Sequence, residues 1–145
     1  FLAKAKWKPA VAAYAIMLSA YFIHSFGRAL PVWTILDILL ALFLIYPAAK
    51  IGGNLFKANV GRLSVALILI SFVCIATDAL VRVFLLVPCG LYGLFFESFE
   101  GLQVVFVGAA IDSYIEDLIV VIVSFLVGVP LMISVSKLKI LKGEK

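Results

Sequence analysis

Long, nearly unbroken apolar runs are the feature of this sequence that most constrains its fold. Residues 63–76, 102–111 and 118–135 consist almost wholly of aliphatic, aromatic and small side chains. A helix needs about 20 such residues to cross the hydrocarbon core of a bilayer. Apart from closed barrels, only helices satisfy their backbone hydrogen bonds in lipid, and a barrel would show short segments of alternating polarity. The runs therefore predict an all-α integral membrane protein.

The composition excludes a soluble domain of the same length. Hydrophobic residues make up 66% of the 145 residues and charged residues only 14%, against roughly 25% charged residues in soluble domains. The mean hydropathy is +1.24. A soluble chain of this size could not bury so much apolar surface in one core. Because neither a linker nor an internal repeat interrupts the chain, residues 1–145 are predicted to form a single transmembrane helical domain.

Turn-forming residues divide the chain into a bundle of about four spans. Glycine and asparagine mark a loop at residues 50–62, and Pro88, Gly90 and Gly93 end the third span. Residues 101–138 are too long for one span, so we expect residues 101–110 to form a separate short or interfacial helix. The predicted spans are residues 9–26, 32–49, 63–80 or slightly beyond, and 112–136.

The basic residues predict the orientation of these spans. They cluster at alternate span ends, which places the clusters on one side of the membrane, and the positive-inside rule makes that side cytoplasmic. Both termini are then cytoplasmic, and the net charge of +4 is a topology signal rather than a sign of nucleic-acid binding. The clustered residues are Lys4, Lys6 and Lys8; Lys50, Lys57 and Arg62; and Lys137, Lys139, Lys142 and Lys145.

Ionisable residues near the opposite side are the candidates for a binding site, because a charge inside a span costs about 2.5–3.5 kcal/mol. Asp78 and Arg82 are four residues apart and share a helix face, so they form either a structural ion pair or a ligand-facing pair. Asp112 and Glu116 also share a face and would repel each other unless a cation lies between them. Arg82 is a candidate for that cation; alternatively, both acids are solvated at the membrane surface.

Further polar and aromatic residues are less informative. Asp37 lies one turn inside the second span, on the same side of the membrane, and Asp117 is either solvated or faces another helix. Tyr92 belongs to an aromatic cluster with Phe95, Phe96 and Phe99. That cluster either anchors the protein at the membrane surface or lines a cavity formed by the irregular backbone around Pro88.

No motif predicts catalysis, a cofactor or a metal. The chain has one histidine, His24, and two isolated cysteines, Cys74 and Cys89, which we expect to be buried as small apolar residues. Such a set does not make a zinc site. The sequence also lacks the common nucleophile, phosphate-binding and metalloprotease motifs. We therefore expect a protein that is not an enzyme.

Three short motifs resemble those of the S components of energy-coupling factor (ECF) transporters. They are Ala-Thr-Asp-Ala-Leu at 76–80, Tyr-Ile-Glu-Asp at 114–117 and Val-Gly-Val-Pro-Leu at 127–131. The resemblance covers residues 63–138 and implies a six-helix fold with both ends in the cytoplasm. The four spans would be the last four, with two more preceding Phe1. The small-residue surface by which the family's first helix docks its T component would then lie outside this sequence.

The resemblance also implies a function. An S component captures a small water-soluble nutrient, such as a vitamin, at the outer face, and a T component with two ATPase subunits drives its release inside. Matching positions single out Asp78, Asp112, Tyr114 and Glu116 as substrate-binding residues, with Arg82 and Tyr92 nearby. The residues alone leave the ligand and the oligomeric state open.

Other functions fit parts of the same pattern. The main alternative is a proton- or ion-conducting subunit of a larger membrane complex, because such relays use intramembrane acids. That function predicts acids throughout the depth of the membrane, whereas these acids crowd one end. An accessory packing subunit without a ligand is a further alternative.

Overall fold

The computed structural model describes residues 6–53, 60–96 and 98–141, with only the backbone described for residues 136–141. This part of the chain is helical and contains no strand. The main helices are α1 (Lys8–Ile23), α3 (Leu36–Gly52), α4 (Val60–Leu86), α5 (Phe99–Val123) and α6 (Val129–Leu141). The shorter elements are α2 (Ser25–Ala29), two 3-10 turns (Val32–Ile35 and Leu91–Leu94) and a π-helical segment (Ser124–Gly128) that joins α5 to α6.

In the described part of the chain, three helical segments are long and apolar enough to cross a membrane, which agrees with the predicted all-α membrane protein but is one fewer than the predicted four spans. They are Val32–Gly52, Val60–Leu86 and Phe99–Val135. The predicted first span corresponds to α1, which is apolar but has only 16 residues. At 1.5 Å per residue it is about 24 Å long, shorter than the hydrocarbon core of about 30 Å.

The predicted break between a helix at 101–110 and a span starting at 112 is wrong. The helix runs continuously through Asp112, and the apolar segment Phe99–Val135 is 37 residues long. Its length is about 55 Å, well beyond the hydrocarbon thickness. A helix does not need to end at the membrane surface, because its backbone hydrogen bonds are formed within the helix itself. In addition, no proline interrupts this helix before Pro130. Gly101 and Gly108 are accommodated without a break.

The core lies between α3 and α4, which form the most extensive interface in the bundle. Small side chains dominate their contact: Ala41 and Ala48 of α3 and Ala76 of α4 are fully buried, among larger residues such as Ile45 and Val73. Small residues allow two helix backbones to approach closely, which is the main source of helix association in lipid. This pair is therefore the frame on which the other helices pack.

Helix α1 packs on α4 through a buried tyrosine. Tyr14 is 2% exposed, its hydroxyl lies 2.8 Å from the Thr77 hydroxyl, and it also donates to the Val73 carbonyl oxygen at 3.3 Å. After α1 the chain turns back at His24, whose ring nitrogen accepts a hydrogen bond from the Phe26 amide and so caps α2. A Cβ atom at Gly27 would lie 2.0 Å from the Tyr21 carbonyl oxygen, so the turn requires glycine there.

Helix α4 ends where the sequence predicts, at the proline and glycines after Leu86. Gly90 has a φ of +76°, a left-handed conformation that glycine adopts without steric cost. The ring of Tyr92, in the following 3-10 turn, contacts Phe26 of α2 at 4.9 Å between centroids. Phe26 also contacts Phe99 of α5 at 4.7 Å. These contacts join the two loops at this end of the bundle, which we call the Arg82 end.

Helix α5 packs on the rim of the bundle and exposes a large apolar surface. Val104 is 72% exposed and Leu118 is 62% exposed. In water such a surface would cause aggregation, whereas in a bilayer it is solvated by lipid chains. The two cysteines are also exposed, so the expectation that they are buried is wrong. The sequence does not distinguish a buried thiol from one turned away from the core, because the neighbouring residues are apolar in both cases.

Candidate functional site

Arg82 lies at the centre of a three-residue ion cluster at the Arg82 end. Its Nη2 atom is 2.9 Å from the Asp78 carboxylate, one turn earlier on α4, and 3.4 Å from the Glu116 carboxylate of α5. The spacing predicts the first contact, and the structure confirms it. Of the predicted role of Arg82 as the cation between Asp112 and Glu116, the structure confirms only the contact with Glu116. All three side chains are about half exposed, at 48–62% of their surface, so the cluster lies at the surface of the bundle.

The other predicted site residues are not part of this cluster. Asp112 is exposed, one turn before Glu116 on α5. Tyr114 donates a hydrogen bond to the carbonyl oxygen of Trp33 and so ties α5 to the start of α3. Tyr92 contacts Phe26 and His24, with ring centroids 4.9 and 6.1 Å away, within the aromatic contacts between the loops. The structure therefore brings Asp78, Arg82 and Glu116 together and distributes the other three residues around them.

Two buried acids were not among the predicted site residues. Asp37 is 6% exposed and Asp117 is 4% exposed. The Ser113 hydroxyl donates to Asp37 Oδ2 at 3.5 Å, whereas Asp37 Oδ1 and both Asp117 oxygens have no hydrogen-bond partner among the described residues. Of the two alternatives for Asp117, solvated or facing another helix, the structure selects the second. Its spacing of five from Asp112 places it on another face, but the spacing does not reveal that this face is buried.

One cavity lies between the start of α3, the end of α4 and the first half of α5. We call it the Arg82 cavity; its volume is about 210 Å³. Arg82, Asp37, Thr34 and Ser113 are its polar residues, and the rest of its wall is apolar. It thus combines one positive and one negative side chain with two hydroxyl groups. A pocket of this kind, mostly apolar with a few convergent polar groups, is typical of small-molecule sites.

The second cavity lies on the other side of Asp37, deeper along α5. We call it the Asp117 cavity, and its volume is about 400 Å³. Asp37 and Asp117 are its charged residues, and Tyr114 also lines it. Leucine, valine and phenylalanine side chains complete the wall. Because Asp37 lines both cavities, a single carboxylate links the two halves of the candidate site.

Histidine and cysteine take no part in this site. His24 caps α2 and contacts the aromatic rings of Phe26 and Tyr92. In the part of the chain that the structure describes, no three His, Cys, Asp or Glu side chains are grouped so that they could hold a metal ion. The polar side chains that line the Arg82 cavity can form ion pairs and hydrogen bonds within apolar walls.

Comparisons with known proteins do not identify a relative. No protein-family model, curated protein sequence or solved structure matches this chain significantly.

Proposed function

We propose that this chain is the substrate-binding membrane subunit of an ECF-type importer and captures a small, water-soluble, vitamin-like nutrient. One observation carries the proposal: polar groups of both charges converge on the Arg82 cavity, at one end of an otherwise apolar bundle. The motifs at residues 76–80 and 114–117, on which the family resemblance rests, supply Asp78 and Glu116, and these are the residues that contact Arg82. The resemblance and the geometry thus support the same end of the bundle.

The proposed orientation places the Arg82 end at the outer face of the cell membrane and both termini in the cytoplasm. It rests on the basic clusters, part of which lies outside the described residues, including Lys4, Lys57 and Lys142. In the described part, Lys8 and Arg62 lie at the starts of α1 and α4, and Lys50 lies near the end of α3. These three residues share the end opposite Arg82. A T component and ATPase subunits would then bind from the cytoplasmic side.

A ligand screen tests the proposal. The purified chain in lipid nanodiscs is heated with single vitamins and their precursors, and the melting temperature is measured. A ligand at a hundred times its dissociation constant adds about 2.7 kcal/mol to the stability, so a hit raises the melting temperature clearly. The proposal fails if no soluble metabolite does so.

Variants then locate the site of any hit. Arg82→Gln should weaken binding by roughly tenfold to a hundredfold, because a hydrogen bond to a charged group contributes about 1.5–3 kcal/mol. Glu116→Gln should have a smaller effect in the same direction, since it removes one of the two carboxylates that hold Arg82. Arg28→Gln is the matched control, because Arg28 is an exposed arginine of α2 near the same end. Equal binding by the Arg82 variant and the parent would place the ligand elsewhere.

A proton- or ion-conducting subunit is a second candidate, and the burial of Asp37 and Asp117 favours it. Buried acids in membrane helices often form proton relays. Against this function, the described acids of α3 and α4 and the paired acids of α5 all lie toward the Arg82 end, and none continues a path to the opposite end. Proton flux into liposomes that contain the chain, followed with an internal pH dye, distinguishes the two. Flux that disappears in Asp117→Asn would favour conduction.

A further inference from the structure

We propose that the Asp117 cavity binds the ammonium group of an apolar organic amine, with Asp117 and Asp37 as its counter-charges. This inference rests on the proposed function: it places the amine of that substrate in the Asp117 cavity, which shares Asp37 with the Arg82 cavity.

Asp117 is buried, and neither a cation nor a hydrogen-bond donor contacts it in the described ranges, whereas Asp37 also lines the Arg82 cavity, where Arg82 is the positive residue. Only 4% of the surface of Asp117 is exposed, and neither of its oxygens has a hydrogen-bond partner in the described ranges. Asp37 Oδ2 accepts a hydrogen bond from Ser113, and Asp37 Oδ1 has no partner there. A buried carboxylate without a cation or hydrogen-bond donors is destabilising, so Asp117 favours a ligand that brings a positive charge.

Arg82 shares the Arg82 cavity with Asp37 but is not among the residues that line the Asp117 cavity. The guanidinium of Arg82 contacts Asp78 and Glu116, and Arg82 lines the Arg82 cavity rather than the Asp117 cavity. Asp117 therefore faces a cavity whose charged residues are both acidic. This arrangement selects against anionic ligands.

The walls of the cavity favour an organic cation over a metal ion. Ca²⁺ takes six to eight oxygen ligands and Mg²⁺ about six, whereas Leu40, Leu118 and Val121 cover much of this cavity. The aromatic rings of Phe72 and Tyr114 also line it. Aromatic faces attract ammonium groups, and aliphatic walls accommodate the hydrocarbon part of an amine. A volume of about 400 Å³ is in the range of small-molecule pockets.

A pair of isosteric probes tests the inference without knowledge of the natural substrate. Binding of 2-phenylethylammonium and of its neutral isostere 2-phenylethanol is measured by calorimetry, with the chain in zwitterionic nanodiscs and empty nanodiscs as the blank. We expect the cation to bind at least tenfold more tightly than the alcohol. Asp117→Asn should remove this preference, and Glu100→Gln should retain it, because Glu100 is an exposed acid in the first turn of the same helix.

The outcomes separate this inference from the proposed function. The inference that the ligand is an amine is overturned if the parent chain binds the two probes equally. It is also overturned if Asp117→Asn binds the cation as tightly as the parent does. If Asp117→Asn does not fold, Asp37→Asn and the two probes on the parent chain still decide. A vitamin hit that is anionic or neutral, and that is lost in Arg82→Gln, overturns the amine class while the importer function stands. Failure of the parent chain to bind 2-phenylethylammonium also overturns it.

Discussion

At the scale of single residues, the position of Arg82 organises the candidate site. One nitrogen of its guanidinium lies between Asp78 on its own helix and Glu116 on α5. Exposed ion pairs in water contribute at most about 1 kcal/mol, but these residues lie close to the end of a spanning helix. At a membrane boundary, the alternative to pairing is an unpaired charge near hydrocarbon, which is more costly. The cluster therefore both stabilises the α4–α5 contact and orients Arg82 toward its cavity.

Energetic coupling within this cluster can be measured with a double-mutant cycle. Asp78→Ala, Arg82→Ala and the double variant are compared by reversible unfolding in mixed micelles. We expect the losses of unfolding free energy to be non-additive by about 0.5–1 kcal/mol, because either single change already removes the pair. Glu100→Ala combined with Arg82→Ala is the control and should be additive. Additive losses for Asp78 and Arg82 would show that the contact has no energetic effect.

At the scale of helices and turns, two kinds of residue determine where the chain reverses. Helix α4 ends before Pro88 and the left-handed Gly90, and the chain reverses after α1 at His24 and Gly27. The rest of the bundle depends on small residues between α3 and α4 and on the Tyr14–Thr77 contact between α1 and α4. The aromatic contacts of Phe26 connect both reversals to the start of α5. The loops at the Arg82 end thus form one packed layer.

Replacement of Gly27 should disrupt that layer. Gly27→Ala puts a Cβ atom 2.0 Å from the Tyr21 carbonyl oxygen and 2.9 Å from the carbonyl carbon, so α2 must move away from α1. We expect a lower melting temperature, with a loss of about 1–3 kcal/mol, which is typical of overpacked sites. Gly108→Ala, in α5, is the matched control: nothing lies within 4 Å of its added Cβ, and alanine favours helix. Equal stability of Gly27→Ala and the parent would contradict the close approach.

At the scale of the whole molecule, the apolar surface and the charge distribution define how the chain lies in a membrane. Three segments are long enough to span, and their large exposed residues face outward, where lipid replaces protein contacts. Acids gather at the Arg82 end, and described basic residues such as Lys8, Lys50 and Arg62 lie at the other. This polarity is the basis of the proposed orientation in the membrane.

Cysteine labelling in intact cells tests this orientation. In a background where Cys74 and Cys89 are replaced by serine, single cysteines are introduced at Ala29, Ser98 and Gly61, all of which are exposed in the structure. A membrane-impermeant maleimide should label Ala29→Cys and Ser98→Cys from outside, and Gly61→Cys only after the cells are permeabilised. Labelling of Gly61→Cys in intact cells would reverse the topology, and so would protection of the other two positions.

Several features could be predicted from the sequence because they depend on local physics. Apolar length decides that the chain is a helical membrane protein, proline and glycine decide where α4 ends, and a spacing of four brings Asp78 to Arg82. The continuity of α5 could have been predicted as well: no proline occurs between Phe99 and Val129, and the expected break at 110–112 came from applying the membrane thickness as a limit on helix length.

The burial of Asp37 and Asp117, by contrast, is decided only by the tertiary structure. In a soluble helix, polar and apolar faces alternate with the helical period and reveal which face is buried. In a membrane helix the face toward lipid is as apolar as the face toward protein, so this signal is lost. Neighbouring Glu116 and Asp117 have similar chemistry, yet packing leaves Glu116 at the surface beside Arg82 and buries Asp117 against a cavity. Whether each carboxylate is exposed or buried is therefore determined by the packing of α3, α4 and α5, which are distant from one another in sequence.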